Sequence, residues 1–88
     1  MGKAIHLKMV SPGGEAEEFD CVYVNLPTDA GSIGVLRGHA PIICALVPGR
    51  LRIRLTDDSE LRYSIESGIA RVASDEMTLL LSGAKKEE

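Results

Sequence analysis

The sequence predicts an all-β domain, a sandwich of two packed sheets, on three observations. Gly, Pro, Asp and Ser punctuate the chain about every eight to twelve residues, the spacing of short strands and turns. Between them apolar and polar residues alternate with period two, and no segment has a convincing period of 3.6. The chain has 88 residues, 44% of them apolar and only 3% aromatic, so Val, Ile, Leu and Ala must fill one small core.

The first strand is read over Ala4 to Val10, where Ile5, Leu7 and Met9 alternate with His6 and Lys8. Ser11-Pro12-Gly13-Gly14 is a turn, and Glu15 to Phe19 a short acidic edge leading into Cys21 to Leu26. In that strand Val22, Val24 and Leu26 are expected to share a face, and Pro27 to close it. After Thr28-Asp29-Ala30-Gly31 comes a short strand, Ile33 to Leu36, then a turn carrying His39. Ile42 to Val47 is apolar on both faces, which predicts a central or sandwiched strand.

Arg50 to Leu55 and Glu60 to Glu66 form the clearest hairpin. Leu51, Ile53 and Leu55 point one way and Leu61, Tyr63 and Ile65 answer them. Every inward residue is odd-numbered, so facing positions must sum to an even number, and a two-residue turn at Asp57-Asp58 fails by setting Leu55 against Glu60. A three-residue loop that sets Arg54 opposite Arg62 makes a like-charge pair. A five-residue loop, with Arg54 opposite Ser64 and Arg52 opposite Glu66, is the preferred expectation. Gly68 to Ala73 and Met77 to Leu81 make the last hairpin across Ser74-Asp75-Glu76, for a total of about eight to ten strands.

The formal charge of −3 comes with scattered rather than clustered Lys and Arg, which argues against nucleic acid as a partner. No apolar run approaches the roughly 18 to 20 residues that span a bilayer, and MGKAIHLK has neither the apolar region nor the cleavage site of a signal peptide. Cys21 and Cys44 sit inside apolar runs and are read as reduced, buried thiols.

His6, His39, Cys21 and Cys44 are the residues that could hold zinc, but no Cys-x-x-Cys or His-x-x-x-His clip joins them, so no metal site is expected. His39 and Cys44 could pair as base and nucleophile, yet an odd separation along a continuous strand turns side chains to opposite faces. Gly31, Gly34 and Gly38 lack the Lys-Ser or Lys-Thr and the helix of a phosphate loop, and read as turn glycines. His6 is expected to be solvated or hydrogen-bonded on the polar face of its strand. The residues therefore predict a binding or assembly module without catalysis.

Gly31-Ser32-Ile33-Gly34-Val35-Leu36-Arg37-Gly38-His39-Ala40-Pro41-Ile42-Ile43-Cys44-Ala45-Leu46-Val47-Pro48-Gly49 closely resembles the G-E-L-G-I-L-P-G-H-A-P-L-L-T-A-L-x-P-G signature of the epsilon subunit of F-type ATP synthases. His6-Leu7-Lys8-Met9-Val10-Ser11-Pro12 resembles that family's opening H-L-x-V-V-S-P, and Glu66 to Val72 its S-G-G-x-x-E-V segment. The likeness runs in order along essentially the whole chain. It implies a flattened ten-stranded β-sandwich over residues 1–84, with 85–88 a charged tail.

The resemblance further implies a non-catalytic rotor subunit of the central stalk of a proton- or sodium-translocating synthase. Its partners would be the gamma subunit and the ring of c subunits, on the cytoplasmic side of a bacterial inner membrane. The alternative is a free-standing β-sandwich module that binds another protein. By the resemblance Ser11, His39 and Cys44 would contact gamma, and Asp29, Gly31, Ser32, Ile33 and Gly34 would meet the c ring. The chain departs from the signature at Ser32, where the family carries an acid, and at Arg37, where it carries Pro; Asp29 is placed to supply the missing carboxylate. Family members usually continue into a helical hairpin that can inhibit hydrolysis and, in some, bind ATP. With this sequence ending at Glu88, neither that inhibition nor ATP binding, nor any other cofactor, is expected.

Overall fold

The structure, a computed structural model, describes residues 4–14 and 16–87; Met1 to Lys3, Glu15 at the head of the expected acidic edge and Glu88 at the end of the expected tail lie outside the described residues. Among the described residues there are nine strands rather than ten: β1 (Ile5–Val10), β2 (Glu17–Thr28), β3 (Gly31–Leu36), β4 (Ile42–Leu46), β5 (Gly49–Leu55), β6 (Glu60–Ile65), β7 (Gly68–Ala73), β8 (Glu76–Leu81) and β9 (Ala84–Glu87). They follow the order β4-β7-β8-β1-β2-β5-β6-β9, with β3 also paired to β2. All neighbours are antiparallel except β1 and β8, which run parallel with Leu7 opposite Met77 and Met9 opposite Leu79.

One long strand joins the two halves. The first part of β2 pairs with β1, and its second part pairs with β3 and with β5. β1, β5, β6, β7 and β8 bury alternate residues, and buried residues from both halves meet in a single cluster: Leu7, Met77 and Leu79 from one, Val24, Leu26, Leu51 and Ile53 from the other. A sheet whose inner surfaces meet this way is a sandwich, and the shortest principal dimension, 20 Å against 34 and 26 Å, gives the flattened shape.

Four expectations are corrected. β2 does not stop at Pro27, because that residue takes part through its carbonyl, accepting the Val47 N–H at 3.1 Å, and needs no N–H of its own. Val22 does not share a face with Val24, because a bulge lies between Cys21, opposite Leu55, and Tyr23, opposite Arg54. The extra residue resets the alternation, so Cys21 is buried before it and Val24 and Leu26 after it. β4 is not central: it ends the sheet, pairing with β7, and Ile43 on its outer side is 72% exposed.

The fourth correction is the β5–β6 register. Facing positions do sum to an even number, but Arg54 faces Glu60 and Arg52 faces Arg62. The loop is Thr56-Asp57-Asp58, closed by Leu55 N–H to Ser59 carbonyl at 2.8 Å, with Asp58 at φ 77°. Local turn chemistry fixes it: the Asp57 carboxylate accepts from both the N–H and the hydroxyl of Ser59. The like-charge pair Arg52/Arg62 is tolerated because Glu60 bridges them, at 3.0 Å from Arg52 and 3.6 Å from Arg62.

The β7–β8 hairpin closes as a two-residue turn in which Ser74 (φ 54°) and Asp75 (φ 61°) both take the left-handed conformation, and Glu76 joins the strand. Gly68 is required by close approach, since a Cβ there would meet the Leu80 carbonyl and lie 3.0 Å from the Leu81 Cα. Lys85, Lys86 and Glu87 lie in β9, paired to Ser64, Tyr63 and Arg62 of β6.

Candidate functional site

The β2–β3 hairpin carries Asp29, Gly31, Ser32, Ile33 and Gly34 to one end of the molecule. Thr28 and Gly31 face each other across the exposed pair Asp29-Ala30. The Thr28 hydroxyl donates to the Gly31 carbonyl and accepts from the Ala30 N–H, holding the tip, while Gly31 at φ 110° takes a conformation that strains any side chain. Asp29 and Ser32 are exposed, whereas Ile33 packs against the core. Gly34 lies under the Tyr23 ring, where an added Cβ would approach the ring to 2.8 Å.

His39 stands at the other end of β3. Its N–H donates to the Leu36 carbonyl at 3.1 Å, and its Nδ1 lies 2.7 Å from the Ala40 carbonyl, so in the tautomer with a proton on Nδ1 the ring donates back to its own loop. Gly38, at φ 84°, donates its N–H to the Asp75 carboxylate at 2.7 Å and ties this loop to the β7–β8 turn. Ser11 follows β1 and borders a half-open groove of about 460 Å³ between β1, β2, β5, β6 and β9. The ladder sets the end of β1 beside Leu80, whereas the His39 loop is tied to Asp75. Ser11 and His39 are thus about 15 to 20 Å apart along the strands. Cys44 lies between them on β4, its side chain packed against the core.

Nothing in this arrangement is set up for nucleophilic chemistry. The buried Cys21 thiol donates to the Ile5 carbonyl at 3.5 Å, and burial, then the charge of Asp20, pushes its pKa up to about 11. Burial also raises the Cys44 thiol. Such thiols stay protonated near neutrality, the wrong state for attack or for metal ligation. Tyr63, which donates to Glu17 at 3.0 Å in the groove, is pushed up to about 12 by burial and by that hydrogen bond. Among the described residues no three His, Cys, Asp or Glu gather as a metal-ligand group.

The sequence reading missed an apolar strip on the outer face of β4, β7, β8 and β1. Ala45, Ile69, Leu80 and Val10 are successive cross-strand neighbours, and Ile43 lies two residues along β4 from Ala45. Ile43 is 72%, Leu80 52% and Ile69 50% exposed. Ile43, Arg71, Thr78 and Lys8 form the adjoining row, so cations border the strip. The signal was present as consecutive apolar residues, Ile42-Ile43 and Leu79-Leu80-Leu81, where one wet face should impose alternation.

The tied His39 loop and the exposed apolar strip belong to a sandwich that known proteins share. Residues 4–87 match the family described as "ATP synthase, Delta/Epsilon chain, beta-sandwich domain". The chain belongs to this family. Among curated members of the ATP synthase delta/epsilon family, the chloroplastic ATP synthase epsilon chain of Medicago sativa is 35% identical over 93% of this chain and 60% of its own length. The ATP synthase epsilon chain of Lawsonia intracellularis is 34% identical over 98% of this chain and 64% of its own. The chain thus spans less than two thirds of the length of these delta/epsilon relatives. A chain in the cryo-EM structure of the Euglena gracilis mitochondrial ATP synthase (OSCP/F1/c-ring) superposes with a TM-score of 0.90 at 22% identity, covering 98% of this chain and 55% of that one. A chain of the Tetrahymena thermophila mitochondrial ATP synthase central stalk and c ring gives a TM-score of 0.77 at 18% identity. At those identities the likeness is one of fold.

Proposed function

We infer that the protein is a non-catalytic rotor subunit of the central stalk of an F-type ATP synthase, coupling the gamma subunit to the c ring. The observation that carries this reading is the exposed strip Ile43–Ile69–Leu80 on a chain of the delta/epsilon family. An isolated sandwich gains nothing from keeping that surface in water, and a partner that covers it gains about 25 cal/mol per Å² of apolar area removed.

In this reading gamma lies along the outer face of β4-β7-β8-β1. It meets Ile43, Ile69 and Leu80 in the middle, His39 at one end and Ser11 at the other. Cys44 acts from beneath, since its side chain faces the core, by setting the pitch of β4. The hairpin tip, with Asp29, Gly31, Ser32, Ile33 and Gly34, meets the c ring, and Asp29 supplies the carboxylate. The complex holds the subunit at the membrane surface; no helix among the described residues is long and apolar enough to cross a membrane. In a bacterium that place is the cytoplasmic side of the inner membrane, and the relatives include both bacterial and chloroplast chains.

The test is co-purification of the chain with its cognate gamma subunit and c ring. Wild type is expected to be recovered with both. Ile43→Lys is expected to fold and to lose at least about tenfold in gamma affinity, a loss typical of a central apolar contact. Failure of the wild-type chain to associate with gamma would overturn the stalk role and leave a free-standing binding module.

A further inference from the structure

The outer face of the other half of the sandwich has the opposite character. Arg50, Arg52 and Arg54 of β5 alternate outward; β6 adds Arg62 and β9 adds Lys85. The carboxylates among them are Glu60 and Glu87, held to Arg52 and Arg50 at 3.0 Å each. Among the described residues of β5, β6 and β9, five outward cations against two carboxylates make this face positive on a chain whose net charge is −3. The alternation of Arg50, Arg52 and Arg54 with Leu51, Ile53 and Leu55 is already written in the sequence, and the folded sheet adds Arg62 and Lys85 to that row.

At the upper edge of this face is a shallow depression of about 480 Å³, lined by Val22, Tyr23, Leu36, Arg52 and Arg54. Val22 and Tyr23 are consecutive, and a regular strand would send them to opposite faces. The bulge in β2 brings both to this depression. Tyr23 lies over Gly34 and is fixed there by Asn25, whose amide donates to the phenol oxygen at 3.1 Å. Leu36 beside it is 60% exposed. Among the described residues Arg54 makes no salt bridge, and Arg52 gives Glu60 only its Nε–H, leaving its terminal nitrogens open.

We propose that this depression is a docking site for an acidic segment of a partner protein, one that presents a carboxylate beside an apolar side chain. The carboxylate is taken by Arg54 with help from Arg52, since a guanidinium fork matches a carboxylate in two parallel hydrogen bonds. The apolar neighbour lies on Leu36 and the Tyr23 ring. Charge complementarity selects a peptide over a phosphate polymer or an anionic membrane. Glu60 and Glu87 are interleaved with the arginines and would face any dense row of phosphates, whereas a single carboxylate fits between them. The overall negative charge also repels polyanions at a distance. This surface is separate from the strip assigned to gamma, and the proposal does not depend on that assignment.

The probes are two bead-displayed heptapeptide libraries, one carrying Asp or Glu next to a Leu, Ile or Phe, the other the same with Lys or Arg in place of the acids. The folded chain is expected to bind the acidic library and to be released as salt is raised from about 0.05 to about 0.5 M, where the Debye length falls to a few ångströms. With the best acidic peptide, amide shifts should centre on Val22, Tyr23, Leu36 and Arg54. Arg54→Gln should weaken binding at least about fivefold, and Leu36→Ser should weaken it in low and high salt alike. Both positions are on the surface, and an unchanged circular dichroism spectrum confirms the fold. Equal retention by both libraries, shifts centred elsewhere, or tighter binding to phosphatidylglycerol vesicles or to single-stranded DNA than to the peptide would overturn the proposal.

Discussion

His6 stands on the outer face of β1 with carboxylates on two sides. Its Nε2 is 2.7 Å from Glu18 and its Nδ1 3.2 Å from Asp20, both on β2, while Glu76 faces it from β8 and Lys8 follows on its own strand. Hydrogen bonds to Asp20 and then Glu18 raise its pKa above 6.5, with desolvation a smaller opposing effect. A raised folded-state pKa means that the charged imidazole stabilises the folded chain fully below pH 6.5, and that this contribution is lost as pH rises through the folded value. Wild type should therefore lose stability relative to His6→Gln as pH increases from 6.5 upward, read as urea midpoints at several pH values. Parallel pH profiles for the two proteins would show that the bridge is inert. The sequence already put His6 on the polar face of β1; its partners lie 12 and 14 residues away and needed the β1–β2 register to be seen.

At the scale of elements, turns decide what strand patterns leave open. In the β5–β6 hairpin the parity of the inward residues limited the register to alternatives one step apart, and charge alone favoured the wrong one. The Asp57–Ser59 hydrogen bonds and the left-handed Asp58 chose the tight loop. The β7–β8 turn has a second task, because the Asp75 carboxylate holds Gly38 and with it the His39 loop. Asp75→Gly suits the left-handed backbone but removes that tie. Its expected effect is a small change in global stability with faster amide exchange at Gly38, by about five- to tenfold for a hydrogen bond worth about 1 kcal/mol. Unchanged exchange at Gly38 would mean that the loop is held by the His39–Leu36 turn alone.

For the whole molecule, the two apolar populations should separate cleanly in stability. Leu79 is fully buried where the two halves of the sheet meet, and Leu79→Ala is expected to cost about 2 to 5 kcal/mol. Ile43, equally apolar and on the end strand, is expected to tolerate Lys within about 0.5 kcal/mol. Thermal or chemical denaturation checks both, and a large loss for Ile43→Lys would place that side chain in the core rather than on an assembly face.

The sequence by itself determined the strand class, the positions of most turns, the alternation that fills the core and the motif that carries the family. Each of these is written in neighbouring residues, within reach of period two or of a short signature. It could not determine that Ile42 to Leu46 would lie at the end of a sheet, because a strand apolar on both faces is equally consistent with two covered faces or with one face kept for a partner. Nor could it place Ile43, Ile69 and Leu80 in one strip, or set Arg52, Arg54, Tyr23 and Leu36 around one depression. Those groupings arise from strand order and from a single bulge, which join residues far apart in the chain. Only the tertiary structure decided them, because a surface belongs to the sheet and not to any one strand in it.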